Sequence, residues 1–227
     1  MKPSRRTTET VLLAALALAA ACAAPPPRLV PPADVRAVEG YGSASVESLD
    51  AFVRGRFAFR FERPAAGRIE AFDPLGRTLY VLVFRGERAW FVVPSKRVYW
   101  ENAAVEIMNR WLGFSLNPED VVRLLSGRWD DAAGGSGEWQ FIRDAQGRVT
   151  AGERSGLRFE VREFFPGAGA PRIIAFEDFA AAGRLRVLEA RFNPPARDAG
   201  ADLAFLETFS PVTWAELEAL LEDGRGR

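Results

Sequence analysis

Between Val53 and Glu62 the chain alternates. Val53, Gly55, Phe57, Phe59 and Phe61 fall on one side, and Arg54, Arg56, Arg60 and Glu62 on the other. A period of two with phenylalanine on one side describes a half-buried antiparallel strand with an aromatic inner face. Such a strand needs neighbours, and the sequence supplies them. Pro64-Ala65-Ala66-Gly67 turns the chain into Arg68 to Phe72, and Asp73-Pro74-Leu75-Gly76 turns it into Thr78 to Phe84, which is apolar on both faces. Arg85-Gly86-Glu87 leads into Ala89 to Val93, and Lys96 to Trp100 follows. Regular strand spacing with turn chemistry between predicts a meander.

The period changes after Glu101. Ala104, Val105, Met108, Trp111 and Leu112 recur at helical spacing, and Gly113 stops that helix. A second helix is announced by Asn117 as cap, Pro118 at its first position and Glu119 and Asp120 in its first turn. Val121, Val122, Leu124 and Leu125 form its apolar side and Gly127 ends it. Beyond a flexible loop at Gly134, Gly135 and Gly137, strands resume over 138–143, 148–154, 156–164, 172–176 and 184–193. Thr213 and Glu216 form a capping box for a last helix through Leu221. The expected fold is mainly β (α+β): a curved, incomplete antiparallel barrel whose open side is covered by a helical lid. Aromatic inner faces under such a lid either enclose an apolar cavity or simply fill a core.

The N-terminus adds a destination. Lys2, Arg5 and Arg6 precede an apolar run from Val11 to Ala21, which is too short to span a bilayer and ends in small residues. Residues 1–21 therefore read as a signal peptide. Ala19-Ala20-Ala21-Cys22 is a loose lipobox, with Cys22 the site of lipid attachment; it is the single cysteine of the chain. An unpaired thiol in an oxidising compartment is a liability unless modified. Each buried methylene contributes about 0.8 kcal/mol, so several acyl chains make a stable anchor. Residues 22–39, with Pro25, Pro26, Pro27, Pro31 and Pro32, read as a lipidated stiff tether, and residues 40–227 as one domain. Ala23 rather than aspartate after the cysteine favours the outer membrane, with the domain facing the periplasm.

Composition narrows the chemistry. Removing Lys2, Arg5, Arg6 and Glu9 with the signal peptide leaves 27 basic and 29 acidic residues of the original 30 and 30, a net charge of −2 and no footprint for nucleic acid. With no histidine, a Ser-His-Asp triad and histidine-based metal sites are excluded. Lys96 is the one lysine after the signal peptide. The reading is no enzyme, no cofactor and no metal. A hydrolase using Glu101, Glu106 or Asp120 is disfavoured, because helix caps and solvated helix faces already explain those residues.

Several short motifs occur in a suggestive order. Arg56-Phe57-Ala58-Phe59 is followed by a second strand and by Asp73-Pro74-Leu75-Gly76-Arg77-Thr78-Leu79. Trp111-Leu112-Gly113-Phe114-Ser115-Leu116 then leads to Val121-Val122-Arg123-Leu124-Leu125-Ser126-Gly127. Together with the lipobox, over residues 40–193, this resembles the LolB family of outer-membrane lipoprotein-insertion proteins, whose half-barrel is shared with the LolA carriers. The resemblance implies a LolA/LolB-like fold and a protein that takes acylated lipoprotein clients from a LolA-like periplasmic carrier. It would hold their acyl chains in an apolar cavity and insert them into the outer membrane without covalent chemistry. It also implies that Leu75, at the Pro-Leu-Gly turn, enters the membrane. A leucine at that turn tip is either exposed as a wedge or folded back over the barrel end. By strand parity and helical face, Phe57, Phe59, Phe61, Ile69, Val81, Val83, Trp111, Leu112, Val121 and Leu125 would line the cavity. Two departures stand out: the segment from Ser210 to Asp223 exceeds the family pattern, and arginine almost replaces lysine. They leave open a second reading, an envelope assembly or scaffold lipoprotein that uses the same fold to bind a protein partner without lipid transfer.

Overall fold

A computed structural model describes residues 28–48, 52–112, 116–129, 139–167, 169–179, 181–195 and 203–225. The signal segment, Cys22, Gly113 and the expected glycine loop at 134–137 lie outside the described residues. The chain runs β1 (Ala37–Ser48), β2 (Phe52–Glu62), β3 (Ala66–Phe72), β4 (Thr78–Arg85), β5 (Arg88–Val93) and β6 (Val98–Ala103). Helices α1 (Ala104–Leu112) and α2 (Pro118–Ser126) follow, then β7 (Gln140–Arg143), β8 (Val149–Arg154), β9 (Leu157–Phe164), β10 (Pro171–Glu177) and β11 (Ala181–Phe192). A short β12 (Ser210–Pro211) and α3 (Trp214–Arg225) end it.

These strands form one 12-stranded sheet in the order β12-β6-β5-β4-β3-β2-β1-β11-β10-β9-β8-β7. Its ladders are antiparallel except where β12 joins β6 in parallel. The sheet is not closed: β7 and β12 are its edges. Between β6 and β7 the chain must cross from one side of the sheet to the other, and α1 and α2 make that crossing over the inner face. Topology alone thus makes them a lid. Inward residues from both flanks, among them Phe91 and Trp100 on one and Phe159 and Val161 on the other, join a single core with Ile107, Met108 and Leu124 of the lid. Only a strongly bent sheet brings those flanks together. Phe84, Ile107, Met108 and Leu217 are essentially inaccessible, and each such burial contributes roughly 1.5–3 kcal/mol.

The local signals explain the lid's ends. The Asn117 side chain accepts from the Asp120 amide at 2.7 Å, the Asp120 carboxylate faces the Asn117 amide in return, and Gly127 closes α2 in the left-handed region at φ 68°. On α1 the apolar face differs from the expected one: Ile107 is buried, while Val105 is half exposed.

Two boundaries are corrected. The domain begins well before residue 40. Val35 and Val38 are core residues, and Arg128 donates to the carbonyls of Pro31 and Pro32. The Asn193 side chain accepts from the amides of Arg36 and Ala37. Residues 31–39 are therefore held against the domain rather than a free tether, because Val35, Val38 and the Pro31 and Pro32 carbonyls find partners at the lower end of the sheet. Secondly, the expected strand from Lys96 begins at Val98, since Pro94–Lys96 forms a 3₁₀ turn closed by Arg97 at φ 55°.

Two strands are absent from the sequence reading, the two-residue β12 and the long β1 at the centre of the sheet. The inward positions of β1 include Gly40, Gly42 and Ala44. A Cβ at Gly40 would lie 2.8 Å from the ring of Phe59 and 2.1 Å from the Glu189 carbonyl. The phenylalanines of β2 lie across β1, and its small residues make that possible.

Candidate functional site

The concave face of β1, β2, β3, β10 and β11 and the undersides of α1 and α2 enclose an apolar space. Phe57, Phe59, Phe61 and Ile69 contribute from the sheet, Met108 and Trp111 from α1, Val121, Leu124 and Leu125 from α2, and Leu116 from the connection before it. Ala44, Val46, Phe176 and Leu185 complete the wall. The structure thus gathers Phe57, Phe59, Phe61, Ile69, Trp111, Val121 and Leu125 of the expected set. The side chain of Leu112 lies outside the described residues.

Val81 and Val83 are corrections. They point to the opposite face, where with Trp90, Val92 and Leu206 they form a second apolar cluster. The inward residues of β4 are Leu82 and Phe84. Because this strand is apolar on both faces, its sequence carried no parity signal, and alternation decides every position at once.

The space is small. Its volume is about 50 Å³, against roughly 300–1,000 Å³ for sites that hold drug-sized ligands. The lid rests closed on the sheet, and three contacts hold it. The Trp111 indole donates to the Tyr80 hydroxyl at 2.7 Å while meeting Phe57 edge-on. Burial pushes the Tyr80 phenol up, and the hydrogen bond from Trp111 offsets part of that. On α2, Asp120 is buried, makes a two-point ion pair with Arg154 of β8 and accepts from the Trp139 indole at 3.2 Å. From the far side, Trp214 of α3 packs on Trp100, and Arg110 of α1 lies 5.3 Å over its ring.

The C-terminal segment does more than cover the mouth. Its 3₁₀ turn, Ala204–Thr208, sets Leu206 against Val81, Val83, Trp90 and Val92 on the outer face. The chain then follows the edge of β6, with Ser210 donating to Arg97 and Val212 to Tyr99, and α3 buries Leu217 in the inner core. The segment wraps the sheet edge as a clamp.

Leu75 lies at the tip of the β3–β4 turn and is 79% exposed, so it is not folded back. The Asp73 carboxylate holds the turn, accepting from the Leu75 amide at 2.8 Å and the Arg77 amide at 2.9 Å. The Arg77 amide, the Arg77 side chain and the Leu75 amide together keep the Asp73 carboxyl below its ordinary range.

The carboxylates considered for catalysis have other employment: Glu101 pairs with Arg88, Glu106 with Arg110 and Asp120 with Arg154. Among the described residues no group of three metal-ligating side chains occurs, and no helix is long and apolar enough to cross a membrane. A larger groove of about 670 Å³ lies around Glu39, Tyr41, Arg60, Arg68 and Glu70. It is open to solvent and lined by charged side chains, among them the pairs Arg60 with Glu39 and Arg68 with Glu70, so it offers an acyl chain little.

No family model and no curated protein matches the sequence. Solved structures do match in fold. An outer membrane lipoprotein-sorting protein domain from Vibrio parahaemolyticus has a TM-score of 0.51 at 8% identity, over 76% of this chain and 92% of that one. A DUF1329 family protein from Desulfovibrio piger has a TM-score of 0.50 at 10% identity, over 76% and 92%. A LolA superfamily protein from Nitrosomonas europaea has a TM-score of 0.49 at 13% identity, over 74% and 90%. At such identities the likeness is one of fold. The expected open half-barrel with a helical lid is the observed architecture, and the Vibrio parahaemolyticus domain shares it in fold.

Proposed function

We propose that this chain is an outer-membrane lipoprotein, anchored through Cys22, that receives acylated lipoproteins from a LolA-like periplasmic carrier and delivers them to the membrane. The observation that carries this reading is the apolar space between the phenylalanines of β2 and the lid. Its accessible wall is almost wholly apolar. An acyl chain has no polar group to satisfy, so an all-apolar slot suits it. Opening would part α1 and α2 from the sheet at the Tyr80–Trp111 and Asp120–Arg154 contacts. Transfer needs no covalent step, only rising affinity from carrier to this protein to bilayer. Leu75, exposed at a turn tip, would disturb the receiving leaflet.

The experiment is transfer of a labelled acylated lipoprotein from the carrier of the same organism to the domain carrying Cys22→Ser. Label moving to the domain is the expected result. A folded domain that takes no label from a competent carrier would overturn the reading.

One observation favours a second reading. The space is only about 50 Å³ at rest, close to a filled core. An envelope assembly lipoprotein that binds a protein partner would need no larger cavity. In that case the lid would stay shut with amphiphile present.

A further inference from the structure

The outer face of the sheet carries a basic cluster that neither the cavity nor the lid explains. On β1, Ala44 and Val46 face the cavity, so Ser43 and Ser45 face outward. In the ladder, Ser45 lies between Arg54 of β2 and Arg184 of β11, and Ser43 between Arg56 and Arg186. All four arginines are exposed. By strand geometry they stand at the corners of a patch about 10 Å by about 7 Å, with two short serines between them. Several other strand arginines have carboxylates, as Arg158 has Glu177 and Arg162 has Glu160. Among the described residues, the side chains of these four have no ion-pair or hydrogen-bond partner. Glu47, the next outward residue of β1, is exposed and unpaired with them.

Immediately above this patch lies the end of the sheet from which the hairpin turns project. Ser48 pairs with Ala181 and Glu47 with Phe52, so the end of β1 lies between the starts of β2 and β11 there, with the β3–β4 turn next along. Phe179 is at the tip of the β10–β11 turn and is 97% exposed. The turn that presents it is built: Asp178 donates its amide to the Ala181 carbonyl at 2.9 Å and accepts the Ala181 amide on its carboxylate at 2.8 Å. Leu75 projects from the same end.

We propose that Phe179 and the arginines at 54, 56, 184 and 186 form a docking surface for an anionic lipid bilayer, with Leu75 as a second apolar tip. Two apolar side chains at separate turn tips do not make the continuous patch a protein partner would bury. A fluid membrane accepts isolated tips individually, and unpaired guanidinium groups behind them meet lipid phosphates. The placement agrees with the expected anchor. Arg28 sits by Gly167 at the opposite end of the sheet, and the six residues from Cys22 to Arg28 reach at most about 21 Å. Strand β1 alone spans about 36 Å, so an upright domain would hold these tips away from its own membrane. Tilted onto the outer face, anchor, arginines and tips meet one bilayer.

The proposal goes beyond acyl transfer and is tested apart from it. The chain from residue 22 with Cys22→Ser has no other cysteine, so Phe179→Cys and, separately, Leu75→Cys take a polarity-sensitive fluorophore at one place. Vesicles of phosphatidylcholine alone are compared with vesicles containing phosphatidylglycerol. The expected result is an apolar shift at both positions on anionic vesicles. Binding should fall on the order of tenfold or more for the double variant Arg54→Gln with Arg184→Gln, and again with added salt. A label at 179 that stays in water while the one at 75 enters lipid would overturn the proposal, and so would equal binding to neutral vesicles. Unfolding is controlled by circular dichroism of each variant. Running the carrier-transfer assay on the same samples separates the two readings: transfer without contact at 179 removes this surface alone, and contact without transfer removes only the acyl-delivery function.

Discussion

Arg154 on β8 grips Asp120 on the lid helix α2 with both of its terminal nitrogens, Nη1 to Oδ1 at 3.2 Å and Nη2 to Oδ2 at 2.5 Å. Its guanidinium also lies 4.4 Å over the Trp139 ring. This is a buried latch between the lid and the far flank of the sheet. Arg154→Met would leave Asp120 enclosed with its charge unmatched. We expect a loss of about 3 kcal/mol in a denaturant titration. The double variant Arg154→Met with Asp120→Asn should regain part of that loss while leaving the lid looser, read as faster uptake of an apolar dye. A single variant as stable as the parent would show that the lid is held elsewhere.

The exposure of Leu75 sets up a cleaner separation. Its side chain rests on little of the protein, so Leu75→Glu should change stability by less than about 0.5 kcal/mol. If the tip assists delivery, the same variant should accept client from the carrier normally and release it to liposomes several-fold more slowly. Full-speed delivery would remove Leu75 from the mechanism.

The turn that carries Leu75 has its own pH dependence. The Asp73 carboxyl lies lower in the folded chain than the ordinary value of about 3.9, because the Arg77 and Leu75 amides and the Arg77 side chain favour its ionised form. A group whose folded pKa is depressed stabilises above its unfolded pKa, and that contribution disappears as pH falls through the folded value. Amide exchange at Leu75 and Arg77 should therefore remain protected from neutral pH to about pH 4 and rise only below it. Asp73→Asn should show that faster exchange at neutral pH; unchanged protection in this variant would mean that the backbone alone shapes the turn.

Legibility in the sequence followed locality. Strand β2 announced itself because Phe57, Phe59 and Phe61 alternate with arginines. Helix α2 did so because Asn117, Pro118 and Gly127 are all within its own turns. Strand β1 escaped because its inward positions are small, and they are small because the rings of β2 occupy the space above them. That fact belongs to the pairing, not to the segment. Val81 and Val83 were misplaced for a related reason: their outer face is apolar to receive Leu206, more than a hundred residues later. Asp120 read correctly as a capping residue, but its ion pair spans 34 residues and had no local sign. The basic patch was half visible, since Arg54 and Arg56 were seen to face outward. Its other half, Arg184 and Arg186, joins it only through β1.

Within the apolar space, Phe59 is the position where a charge should do most harm to binding with a readable fold. It is buried at the centre of β2, its ring tilted against that of Phe57 at 6.0 Å and lying over Gly40. Phe59→Arg would place a guanidinium where it finds no partner, so affinity for an acylated client should fall at least tenfold. Since this change also strains the core, Phe59→Leu serves as the companion. It should keep the fold at a cost of about 1–2 kcal/mol, with client affinity largely kept. A folded Phe59→Arg protein with unaltered client affinity would put the acyl site elsewhere.

The C-terminal clamp can be tested by removing the inner part and then the outer part. Leu217 of α3 is fully enclosed in the main core, while Leu206 covers the apolar outer face of β4 and β5. Leu217→Ala should cost about 2–5 kcal/mol by the cavity it leaves, and should loosen α3 over Trp100 and Phe91. Leu206→Asp acts on the other side. It would lift the 3₁₀ turn and expose Val81, Val83, Trp90 and Val92 without touching the inner core, so apolar dye binding should rise with the lid still latched. If both variants also speed client uptake, the clamp and the lid open as one unit. If Leu217→Ala alone does so, only α3 gates the mouth, and the outer turn serves to shield an edge that β6 would otherwise present to other chains.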